Sequence, residues 1–193
     1  MKKIILFGAL MCQLAVAAQK TTVVIQIMTD YGTHEAFAQQ AVAKLEAVIN
    51  SDEFKQAVLN ASFTKTDGHS NQEIYEMIKK AHEVQGDGGA DQVIDLRLRT
   101  ITLEKDGKHW IKNCALSSWA GTIGIDGQGD GITAICPQRL ELWAKTNDVA
   151  QLAAHYAHEY MHILGFSHRG IGKYRSVVYQ IGNIIEAMIK KGD

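Results

Sequence analysis

Apolar positions change their spacing several times along the chain, and each change predicts an element. The β-branched run TTVVIQIM, residues 21–28, reads as a buried strand. From His34 to Asn50, Phe37, Val42, Leu45 and Ile49 recur at helical spacing, and Ser51 followed by Asp52 and Glu53 restarts a second helix. Ser70 with Glu73 three residues later forms a capping-box pattern that opens a third helix through NQEIYEMIKKAHEV. After a Gly-rich turn at 86–89, VIDLRLRTITLE reads as a strand of partial alternation carrying Val93, Leu96, Leu98, Ile101 and Leu103. Asp106-Gly107 predicts a hairpin turn into HWIKNCALSS. WAGTIGI and GITAIC, on either side of DGQGDG, add two further strands. Thr146, Asn147 and Asp148 offer N-caps for a helix through VAQLAAHYAHEYMHIL that stops at Gly165. RGIGKYRSVVYQIG then reads as a loop with some extended character, followed by a short amphipathic helix carrying Ile184, Ile185, Met188 and Ile189. Strands and helices in this order predict an α+β fold.

Composition narrows the picture. At 193 residues and 46% hydrophobic, the chain is expected to build one core and one domain. Twenty basic against 21 acidic side chains leave a net charge of −1, which argues against nucleic acid or an anionic membrane as partner. The first 18 residues have the parts of an export signal: Lys2 and Lys3, an apolar run from Ile4 to about Met11, and small residues ending at Ala17-Ala18. The run breaks at Gln13, short of the roughly 20 residues a membrane span needs, so cleavage and a secreted or periplasmic product, residues 19–193, are expected. With a strand expected to start at residue 21, no pro-domain is expected after the signal. Cys114 and Cys136 remain after cleavage. In an oxidising compartment one disulfide is the simplest expectation, contributing about 3 kcal/mol in the chain-entropy model, with two buried thiols as the alternative.

The chemistry concentrates in HEYMHILGFSH, residues 158–168. Residues four apart on a helix lie one above the other, so His158 and His162 can direct two imidazoles at one metal ion. Glu159 projects from a neighbouring part of the surface, placed to contact a metal-bound water as general base. Catalytic zinc sites normally use three protein ligands, and Gly165 supplies the means to a third: glycine reaches the left-handed conformation without steric cost, so the chain can turn back and bring His168 to the metal. Three neutral imidazoles leave the ion its full charge, which acidifies bound water and polarises a carbonyl. A helix end with polar histidines and no metal is the bland alternative. His155 is expected at the surface or behind the ligands, and His34, His69, His82 and His109 are expected in solvent.

The stretch resembles the extended motif H-E-x-x-H-x-x-G-x-x-H of the metzincin metallopeptidases, matched at His158, Glu159, His162, Gly165 and His168. Strand order, a long early helix and a sheet just before the zinc helix extend the likeness across most of residues 19–193 at low resolution. The resemblance implies a zinc endopeptidase. Its upper subdomain, about 19–165, would carry a mixed twisted sheet with helices, and a small lower subdomain, about 166–193, would lie below a cleft. It also implies an antiparallel edge strand, here within Leu116 to Ile125, that pairs with the substrate backbone. The chain departs from the family where Ser176-Val177-Val178-Tyr179 stands in place of the methionine turn under the metal: Val178 occupies the methionine position. Tyr179 is a candidate for oxyanion stabilisation or for packing, its register one residue early for the first role.

The expected function is therefore zinc-dependent hydrolysis of peptide bonds in a peptide or protein substrate by a monomer. A zinc-bearing binding or inhibitory module with little turnover is the alternative, and hydrolysis of a non-peptide amide is a third reading. Asp126, Gln128, Asp130 and Gly131 resemble half of a calcium loop, but position twelve is Pro137 instead of an acid, so a plain turn is expected. Asn60-Ala61-Ser62 is formally a glycosylation acceptor.

Overall fold

Segments far apart in sequence assemble into one sheet because each carries an apolar face that a common layer of helices can cover. The computed structural model describes residues 19–27, 31–83, 89–101, 120–123, 131–168 and 172–192, with the backbone alone for 120–123. Its elements are β1 (Thr22–Ile27), α1 (Glu35–Ile49), α2 (Asp52–Leu59), α3 (Asn71–Lys80), β2 (His82–Glu83), β3 (Gly89–Ala90), β4 (Val93–Thr100), β5 (Ala120–Ile123), β6 (Ile132–Ile135), α4 (Pro137–Lys145), α5 (Val149–Ile163) and α6 (Val177–Gly192). The fold is mixed α and β, as the sequence pattern predicts at that level. No helix among the described residues is long and apolar enough to cross a membrane.

Strand order is β1-β4-β6-β5. β4 pairs in parallel with β1, Thr22 opposite Val93, and with β6, Arg97 opposite Ile132; β5 is antiparallel to β6 and is the last of the described strands on that side. Alternation in β4 is sharper than expected: Ile94, Leu96 and Leu98 are buried, and the intervening Asp95, Arg97 and Arg99 take the other face. Each buried aliphatic side chain contributes about 2 kcal/mol. β1 is less enclosed than its composition suggests. Among the described residues it pairs with β4 alone, and Val24 is 46% exposed.

α5 is the central helix, in contact with α1, α4, α6, β5 and β6. Asp148 caps it, accepting from the Gln151 N–H at 3.1 Å. α4, which the sequence reading leaves unassigned, starts with Pro137 in its first turn, where a missing N–H costs nothing. The capping box of α3 is present in full, with Ser70 N–H donating to Glu73 Oε2 at 2.7 Å and Glu73 N–H to Ser70 Oγ at 3.3 Å. That helix ends earlier than its sequence suggests: Ala81 is left-handed at φ 49°, and His82–Glu83 becomes a strand.

The early stop buries Glu83. Its Oε1 accepts from the Asp95 N–H at 3.1 Å, and the Tyr160 hydroxyl of α5 approaches it. Burial pushes its pKa up to about 7, with these two donors pulling it part of the way back. A carboxyl held above its unfolded value of 4.5 binds its proton more tightly in the folded state, so stability declines as pH rises from about 4.5 to about 7. The expected loss is about 2 kcal/mol, measured by urea unfolding of chelator-treated protein across that window. Glu83→Gln, which keeps both contacts without a charge, should remove most of the slope; an unchanged slope contradicts the assignment.

The C-terminal region differs most from expectation. A 3-10 turn at Lys173–Arg175 leads directly into α6, and only Ser176, bridged in parallel to Thr64, is extended. Ser176 Oγ stands at the start of α6, 3.5 Å from the Tyr179 N–H it accepts. Val177, Val178, Ile181, Ile185 and Ile189 form its buried stripe. Gly182 lets α6 lie close to α5, because a Cβ there would sit 3.1 Å from the Ala154 carbonyl oxygen and 3.6 Å from His158 Cβ.

Candidate metal centre

The site is built at the C-terminal end of α5, where two of its histidines share a face. His158 and His162 have ring centroids 5.4 Å apart. The helix then ends in a two-bond Schellman turn: Gly165 N–H donates to His162 O at 2.9 Å and Phe166 N–H to Met161 O at 2.9 Å. Gly165 has φ 97°, a conformation that only glycine adopts without strain. Phe166 and Met161 are both buried in the core, anchoring the turn from below. The redirected chain delivers His168, whose ring lies 5.3 Å from His158 and 4.8 Å from His162.

One ligand atom from each of His158, His162 and His168 lies within 4.8 Å of the other two, so the triad could hold a metal ion. The chemistry of the donors fits one. His162 Nδ1 is 2.8 Å from the Phe166 carbonyl oxygen, to which it donates, so Nε2 is the nitrogen that carries the lone pair. Burial, reinforced by the neighbouring imidazoles of His155, His162 and His168, holds the His158 pKa well below the usual histidine range. Its imidazole is therefore neutral around pH 7, the form that binds metals. The turn thus ends the helix, returns the third histidine and fixes the tautomer of the second. Sequence reading found the glycine and missed the Phe166 carbonyl; the signal was its place just beyond the helix end.

Glu159 is 2% exposed and belongs to the same helix, but not to the ligand triad. Its Oε1 lies 3.9 Å from His158 Nε2 and 3.8 Å from His155 Nδ1. His155 is buried at 4% exposure, not at the surface, with its ring 6.0 Å from Trp143 and 6.1 Å from Tyr156. His69 is half-buried, edge-on to Phe166 at 5.8 Å, whereas His82 is exposed.

Tyr179, in the first turn of α6, packs its ring against two members of the triad, 4.7 Å from His158 and 5.0 Å from His168. Tyr174, 65% exposed, continues the stack at 5.2 Å from Tyr179, with Lys173 Nζ 5.0 Å over its ring. Val178 is fully buried in the main core beside α5 residues. β5 is antiparallel to β6, lies within the span assigned to it from sequence, and is outermost among the described strands.

Cys136 is buried and disulfide-bonded, while Cys114, its expected partner, lies outside the described residues. The export segment, the hairpin at Asp106-Gly107, His109, and Asp126, Gln128 and Asp130 of the turn also lie outside them; Gly131 is described, with φ 61°. No family model matches the chain, and neither the curated proteins nor the solved structures yield a match.

Proposed function

We propose that this chain is an exported zinc-dependent endopeptidase of metzincin type, with His158, His162 and His168 as ligands and Glu159 as general base. The observation that carries the reading is the convergence of three imidazoles beside a buried carboxylate on the same helix. Three neutral nitrogen donors are the donor set of a catalytic zinc with an open position. When bound, zinc supplies Lewis acidity and an acidified water.

The protein's own groups then have separable tasks. Glu159 accepts the proton of the attacking water and passes it to the leaving amine, so one carboxylate serves both steps. The Phe166 carbonyl keeps His162 in the tautomer that presents Nε2. Tyr179 walls the triad on the α6 side. The β5 edge offers backbone groups with which an extended peptide can pair, the usual recognition mode for an open strand. Val178 forms a buried floor at the start of α6 in place of methionine. Export after cleavage near Ala18, a Cys114–Cys136 disulfide and a monomeric state belong to the same proposal.

The test is cleavage of casein by the mature protein. The reading expects cleavage that a chelator abolishes and added zinc restores. Stoichiometric zinc with no cleavage would instead make the chain a zinc-bearing binding module, and a protein that takes up no zinc would overturn both.

A further inference from the structure

Resting on that reading, we infer that His155 is a positioning residue that holds the Glu159 carboxylate in place beside the imidazole triad. The two residues are four apart on α5 and stack on one face, with His155 Nδ1 3.8 Å from Glu159 Oε1. The same oxygen is 3.9 Å from His158 Nε2, so the carboxylate oxygen is close to both a candidate ligand and His155.

The surroundings of His155 are not those of an ordinary core position. Leu152, Ala153, Ala154 and Ala157 around it on the helix are apolar and buried, and leucine would fill the space without placing a polar ring there. Burying an imidazole that lacks full hydrogen bonding is unfavourable. Nε2 of His155 is buried and meets no partner at good geometry among the described residues; the Ala134 backbone of β6 is the other polar group near the ring, and it favours an N–H there. Trp143 and Tyr156 pack beside the ring, at 6.0 and 6.1 Å between centroids. The side-chain polar group that faces the ring is the Glu159 carboxylate, on the Nδ1 side. A gap of 3.8 Å is longer than a formed hydrogen bond, but such contacts in unliganded sites shorten when the reacting complex assembles. With the proton on Nδ1, the ring donates to the carboxylate and prevents it from rotating away.

Three variants test the assignment. His155→Leu fills the volume without a donor, His155→Asn restores an amide donor near the Nδ1 position, and His155→Gln carries its amide at the distance of Nε2. The leucine variant should fold and keep one zinc, as read by thermal melts and metal content. Its KM should stay within about twofold while kcat falls about 10- to 100-fold. Asparagine should recover most of that loss and glutamine little. Wild-type kcat in the leucine variant, or asparagine no better than leucine, would overturn the inference. A second readout needs no turnover: nitrogen-15 NMR of chelator-treated protein should show the His155 proton on Nδ1, with a resonance that moves in Glu159→Gln. A ring protonated on Nε2 alone, or a resonance indifferent to Glu159→Gln, would overturn the role of His155 even if casein cleavage is confirmed. If the wild type cleaves nothing, the function fails and this spectrum still decides the contact.

Discussion

Glu159→Ala is expected to bind zinc with wild-type stoichiometry and to lose peptide hydrolysis by about 10³-fold. The two outcomes separate because the carboxylate is outside the candidate ligand triad, while in the proposed mechanism it is the group that would accept the proton of the attacking water. Residual activity above the uncatalysed rate should persist, since the Lewis-acid contribution of the ion does not pass through this side chain. Glu159 is 2% exposed, so alanine also leaves a cavity in the helix layer. Glu159→Gln is the necessary companion: it keeps the volume, removes the base, and should be nearly as inactive. Metal content by mass spectrometry and kcat/KM on a quenched peptide are the two measurements. Either variant cleaving at the wild-type rate would remove Glu159 from its role.

The second large effect is expected at Gly165, through the backbone alone. Gly165 is exposed, so a larger side chain loses no packing, but its φ of 97° is hostile to any β-branched residue. Gly165→Val should destabilise the fold by about 1–3 kcal/mol in urea unfolding of the metal-free protein. The same strain displaces the Phe166 carbonyl from His162 Nδ1 and moves His168 away from the other two rings, so zinc affinity should fall about 10- to 100-fold. Gly165→Asn tolerates the left-handed region better and should fall between valine and wild type. Wild-type zinc affinity in the valine variant would show that the turn does not set the ligand geometry.

These effects concentrate in the part of the chain that could be read most directly from sequence. The face shared by His158 and His162 follows from helical period, and the turn follows from one glycine, so both depend on neighbours within a few residues. The strand around Leu96 and Leu98 and the capping box at Ser70 were readable for the same reason. What was missed depends on distant partners. Glu83 becomes buried only because β4 brings the Asp95 N–H to it. His155 looks like one more polar histidine until Trp143 and β6 enclose it. The start of α6 reads as a loop with some extended character from sequence, and its β-branched Val177 and Val178 and its Gly182 are all poor helix formers. Burial of the stripe against α5 outweighs both, and the glycine is what allows the two helices to approach.

The ligand set spans only residues 158–168, and two of its three members belong to a helix already held by core packing. Release of an ion from this triad would therefore not require global unfolding. Opening the turn at Leu164–Phe166 detaches His168 and frees His162 Nδ1 together, a sub-global excursion that leaves the sheet intact. Exchange of an ion at this site would thus be tied to the fraying of one helix end, apart from the packing of α5 against α1 and α6 that holds the helix itself.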